Sequence, residues 1–182
     1  GEDVRSLDDL PPTRAILCDV TPRQLIGLAG DRLPSGYRRQ LERYRYGPGV
    51  FKVDWALDGP VPWSDPATAR AGTVHLGGTL AEVRASEQDV VSGRVPSVPF
   101  MLLAQQSNFD PTRAPDGCQT LWGYCHVPAG CDVDMTATME ARIEQFAPGF
   151  RDLVLGRHTI SAARFESYNP NYIGGDINGG VA

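Results

Sequence analysis

The chain has 182 residues, 41% hydrophobic and 21% charged, with 17 Lys and Arg against 22 Asp and Glu and a formal net charge of −5. That length suits one domain able to bury about two-thirds of its unfolded surface, and the acid excess argues against a nucleic-acid binder, which needs a basic patch. No apolar run approaches the roughly 18 residues that a bilayer-spanning helix requires.

In chain order, "RAILCDV" (14–20) predicts a short apolar strand stopped by Thr21-Pro22. Pro22 suits the first turn of a helix, so "TPRQLIGLAG" predicts a short helix ending at Gly30. Leu33, Tyr37, Leu41 and Tyr44 then form one apolar stripe on a helix over 34–46. Arg38, Arg39, Arg43 and Arg45 cluster there with Glu42, and Arg38 and Glu42 stand at i,i+4; the cluster reads as a solvated helix face. "VFKVDWAL" (50–57) alternates: Phe51, Val53, Trp55 and Leu57 face one way, Lys52, Asp54 and Ala56 the other, as in a half-buried strand. Lys52 is the sole lysine beside sixteen arginines, a bias expected of a G+C-rich genome.

"GTVHLGG" predicts a second strand, and Thr79 with Glu82 a capping box opening a helix over 79–92 with Leu80, Val83, Val90 and Val91 inward. "VPFMLLAQQ" (98–106) and "CQTLWGYCHV" (118–127) predict two strands joined by a turn-rich connection, hence antiparallel neighbours. Met135, Met139, Ile143 and Phe146 mark a third long helix, closed by Pro148-Gly149. "HTISAARFESY" predicts a last strand. Strict βαβ alternation is absent, so the expected fold is α+β: one domain over 1–182, a mainly antiparallel mixed β-sheet with helices covering one face.

The chemistry-bearing residues are sparse. No G-x-x-x-x-G-K-[ST], no G-x-S-x-G and no complete G-x-G-x-x-G occurs; Gly77-Gly78 lacks a third glycine and suits a tight turn. Cys118, Cys125, His126 and Cys131 do not keep zinc spacing, and opposite strand parity would separate Cys118 from Cys125, so no metal site is expected and these cysteines, like Cys18, are read as buried free thiols. His75 and His126 read as hydrogen-bonded wall or core residues, and His158 as an exposed strand end. Phe51, Trp55, Trp122 and Tyr124 are core aromatics or, alternatively, walls of an apolar cavity. The chain closes on "YNPNYIGGDINGGVA", glycine-rich backbone that is either a frayed tail or packed against a partner beyond these residues.

Five segments, "RYRYGPGVFKVDWALDGPVPW", "GTVHLGGTLAEV", "PFMLLAQQSNFDPTRAPDGCQTLWGYCHVP", "IEQFAPGFRD" and "YNPNYIGGDI", together resemble phytoene dehydrogenase-like proteins, FAD-dependent oxidoreductases related to carotenoid desaturases and flavin amine oxidases. The resemblance covers the middle, substrate-binding piece of such enzymes; the FAD fingerprint is absent. It implies that FAD belongs to the full-length parent and is not held tightly by this chain alone, and that hydride transfer from an apolar or oxidisable substrate is the parent's reaction. It further implies that Asn169, Asn171, Gly174, Gly175 and Asp176 face the flavin in the parent, and that Phe51, Trp55, His75, Trp122 and Tyr124 line the substrate site. No catalytic side chain is assigned. The implied partners are the FAD-binding domain of the same polypeptide and a small apolar substrate; separately, with the helix stripes covering one sheet face, the other is expected to carry an exposed apolar patch that a second copy covers. The chain starts at Gly1 with no targeting segment, as though cut from something longer, and a cytoplasmic protein, with peripheral membrane attachment left open, is expected. The competing reading is a free-standing ligand-binding or oligomerisation module without redox chemistry.

Overall fold

A computed structural model describes residues 2–180; Gly1, and Val181 and Ala182 of the terminal stretch, lie outside the described residues. The α+β expectation holds. Five strands, β1 (Gly49–Leu57), β2 (Thr73–Leu76), β3 (Met101–Ala104), β4 (Gln119–Val127) and β5 (Val154–Ile160), form one sheet in the order β2-β3-β4-β1-β5. Every neighbouring pair is antiparallel. Five helices accompany it: α1 (Pro22–Ala29), α2 (Ser35–Glu42), α3 (Leu80–Val91), α4 (Thr136–Phe146) and α5 (Ala162–Tyr168).

Period-two alternation gives β1 two chemically different faces, and β4 matches it in register: Phe51 lies opposite Cys125, Val53 opposite Gly123 and Trp55 opposite Leu121. These residues, with Met101 and Leu103 of β3, meet Met139 and Ile143 of α4, and Ala147 and Phe150 just after it, in one buried core. Full burial of a side chain of this size stabilises by about 1.5–3 kcal/mol. Phe150 stands edge-on to Trp55 with ring centroids 5.8 Å apart. The indole of Trp55 donates 3.0 Å to Glu140 of α4, which also accepts from Arg157 of β5, so the one carboxylate buried under the sheet has its partners.

The capping box forms as expected, with Thr79 accepting from the Glu82 amide and Glu82 accepting from the Thr79 amide. On α3, however, Leu80 is 85% and Val91 83% exposed, and the inward stripe is Val83, Ser86 and Val90, spaced three and four. Residues 14–20 form no strand. Leu17 is 98% exposed there, because a strand persists only where it joins a ladder, and neither sheet edge, β2 or β5, takes this segment. The stripe of α2 does not cover the sheet either: α2 buries no residue and packs beside α1, leaving Tyr37 and Tyr44 partly exposed. The last predicted strand divides in two, β5 ending at Ile160 and residues 162–168 forming α5. Ala-Ala-Arg-Phe-Glu contains no β-branched residue and favours helix once Ser161, anchored on Asp132 at 2.7 Å, fixes the turn.

All four cysteines are free, but only Cys125 is buried, which pushes its thiol pKa up to about 12; Cys18 is exposed on the segment that forms no strand, Cys118 and Cys131 are half-buried, and His126, next to Cys125 in β4, points to the opposite face. Among the described residues no group of three or more His, Cys, Asp or Glu side chains could hold a metal ion, and no helix is long and apolar enough to cross a membrane.

Candidate functional site

The face of the sheet turned away from α4 carries a different set of residues. Cross-strand pairing aligns them in rows: His75, Leu102, Tyr124, Lys52 and Ile160 in one, Ala104, Trp122, Asp54 and His158 in the next. Alternate residues of β4 put Trp122, Tyr124 and His126 in an aromatic ladder, with ring centroids 6.3 Å and 5.9 Å apart along it. Lys52 lies over the Trp122 ring, 5.5 Å from its centroid, and its ammonium pairs with Asp54 two residues on. His158 Nδ1 is 3.7 Å from the second oxygen of Asp54. His126, at the far end of the ladder, is 3.0 Å from Glu87 of α3.

One side of this face is walled by α5 and the chain that follows it. Phe165, Tyr168, Tyr172 and Ile177 stand against Val50, Lys52, Trp122 and Ile160, enclosing a cleft of about 480 Å³. Phe165 and Tyr172 meet edge-on at 5.8 Å, which stiffens the wall, whereas Tyr168 at its rim is 73% exposed. The volume and the mix of aromatic side chains with a few convergent polar groups are those of a small-molecule site. A second hollow of about 450 Å³ adjoins it, sharing Asp54 and His158.

Trp122 and Tyr124 therefore lie in the cleft. Phe51 and Trp55 do not: they alternate to the opposite face of β1 and are buried under α4, which corrects the expectation for Phe51, whereas Trp55 still borders the adjoining hollow. His75 is on the open face but on edge strand β2, outside the cleft, exposed and edge-on to Phe100 at 5.4 Å.

The terminal stretch is anchored within the chain. Asp176 is 1% exposed; one oxygen accepts from the Gly47 amide at 2.7 Å and the other from Asn178 at 2.7 Å and Gly179 at 3.1 Å. Asn171 accepts from the Thr21 amide at 2.9 Å, and Asn169 accepts from both nitrogens of Asn171. Gly174 and Gly175 hold φ of +61° and +85° in a tight turn (Ile173–Gly175), and a Cβ on Gly175 would stand 2.6 Å from Ala162 Cα. The close approaches that the glycines serve lie inside this chain, Gly175 to α5 and Gly174 to Ala129 and Gly130. Asn171 and Asp176 spend their side-chain groups on internal bonds, and Asn169 spends its carbonyl oxygen.

Sequence reasoning passed over Lys52, Asp54, His158, Tyr168, Tyr172 and Ile177 as site residues. Lys52 and Asp54 were legible as one strand face, and Lys52 as the sole lysine, but the wall from α5 required the helix that the strand reading of 162–168 concealed. No protein-family model matches the chain, and no curated protein matches it.

Proposed function

We propose that this chain is the substrate-binding domain of a phytoene dehydrogenase-like FAD-dependent oxidoreductase, a dehydrogenase or desaturase acting on an apolar or oxidisable substrate. The observation that supports it is the open sheet face: an aromatic ladder, uncovered by α4, walled by Phe165, Tyr168, Tyr172 and Ile177 at the segment whose sequence resembles the crossing to the flavin domain. Bound FAD would supply the hydride acceptor, and the rest of the polypeptide would have to hold it. The residues here do not form its cradle, because no G-x-G-x-x-G opens a helix and the polar groups of Asn171 and Asp176 are engaged internally. The chain's own work is to bind and orient: stacking on Trp122 and Tyr124 fixes a flat substrate against the sheet, and the apolar wall keeps water from it.

The test is the complete reading frame from which this chain comes. Its purified product is expected to be yellow, with a flavin spectrum, whereas the 182-residue chain alone is colourless after dialysis. A flavin-free product of the complete frame would overturn the assignment. It would select the second reading, a ligand-binding module without redox chemistry, which the internal anchoring of Asp176 favours because it makes the terminal stretch part of this domain.

A further inference from the structure

The two hollows on the open face are one trough with chemically different ends. They share Asp54 and His158, and together they follow β1 from Val50 to Ala56. Six residues of strand span about 20 Å. The Val50 end is aromatic and aliphatic. At the Ala56 end, Ala56 and Gly156 face each other across β1 and β5, so the floor there is nearly bare backbone, and a Cβ placed on Gly156 would meet nothing within 4 Å. Polar groups surround that bare floor. Gln106 donates 2.9 Å to Thr120 and leaves its carbonyl oxygen buried without a partner. Arg113 binds Asp110 through Nε alone, at 2.8 Å, and its other nitrogens keep their donors. The cations lining the trough are Lys52, Arg113 and Arg157, paired with Asp54, Asp110 and Glu140 in turn, with His158 beside Asp54.

We infer that the trough takes an elongated amphipathic carboxylate, its apolar unsaturated body along Trp122 and Tyr124 and its carboxylate at Arg113. Length, bare floor and the guanidinium donors of Arg113 that Asp110 leaves unused each match that shape. The inference rests on the reading of this cleft as the substrate face and names the class of substrate that the face selects. Arg113 then acts as a specificity residue and not as a catalytic one, since it grips the head and not the apolar body.

The experiment uses cis-parinaric acid, a fluorescent polyene carboxylate, and its methyl ester, titrated into the chain while energy transfer from tryptophan is followed. The acid is expected to bind about tenfold more tightly than the ester, the scale of one charge-assisted hydrogen bond. Arg113→Gln, an exposed change, should remove that preference and leave ester binding as it was. Gly156→Leu, which fills the bare floor, should weaken the acid by a similar factor, and Trp122→Phe should weaken both ligands. Equal affinities for acid and ester, or a preference that survives Arg113→Gln, would overturn the inference while leaving an apolar cleft in place. Failure of both ligands to bind, including through a dimer that occludes the face and that parinarate does not dissociate, would overturn the inference and the cleft reading together. The flavin test above is decided independently of all these outcomes.

Discussion

Replacing Asp176 by Ala asks whether the terminal stretch belongs to the fold. The carboxylate receives three backbone N–H groups, from Gly47, Asn178 and Gly179, at 2.7–3.1 Å in a fully buried site. Hydrogen bonds to a charged acceptor are worth about 1.5–3 kcal/mol each, so three lost outright would come to about 4.5–9 kcal/mol. That sum is not reached, because the end of the chain can lift away and return its amides to water; the cost is then that of freeing residues 173–180. We expect a loss of about 2–4 kcal/mol for Asp176→Ala, and about half of it for Asp176→Asn, whose remaining oxygen keeps one side of the arrangement. Urea denaturation gives the global figure, and amide hydrogen exchange at Gly47 and Asn178 separates local release from global loss. Asp176→Ala within about 0.5 kcal/mol of the parent, with exchange at Gly47 unchanged, would mean that the stretch contributes nothing.

Gly175→Ala should cost at least about 2 kcal/mol, combining a left-handed φ with a Cβ driven into Ala162 backbone, while Gly156→Ala, facing open space, should be neutral; thermal melts of the two variants side by side check this. Glu140→Ala should destabilise by about 2–4 kcal/mol, because it orphans the buried Trp55 indole N–H and frees Arg157, with Trp55→Phe in the double variant recovering part of the loss in a chemical-denaturation cycle. The Cys125 thiol is protonated in the fold up to about 12 against an ordinary 9.0, so its contribution to stability is full below pH 9 and disappears as pH rises toward 12. Denaturation midpoints across that window should fall less steeply in Cys125→Ala. At neutral pH a thiol reagent should modify exposed Cys18 long before Cys125, and the reverse order would refute the burial.

What the sequence determined by itself is local. Alternation at period two separated Phe51, Val53 and Trp55 from Lys52 and Asp54, and Leu121 and Cys125 from Trp122 and Tyr124, because a pleated strand offers no other arrangement. The Thr79–Glu82 cap and the Met135-Met139-Ile143-Phe146 stripe were readable for the same reason, each being written within a few turns of helix; the first three stripe residues are buried, while Phe146, at the helix end, is 39% exposed. Which strand face became core was not readable, since both faces of β4 carry large apolar groups. The choice was made by α4 docking on the Trp55 side and supplying Met139, Ile143 and Phe150. The stripe on α2 shows the converse, an apolar pattern that packs beside α1 and not on the sheet, and stays half exposed. The terminal stretch is the clearest division between the two levels. Its glycines announced a close approach, but the partners, Gly47 and Ala162, were fixed by a fold-back that joins Asp176 to an amide 129 residues away, and a contact that distant leaves no periodic mark in the chain.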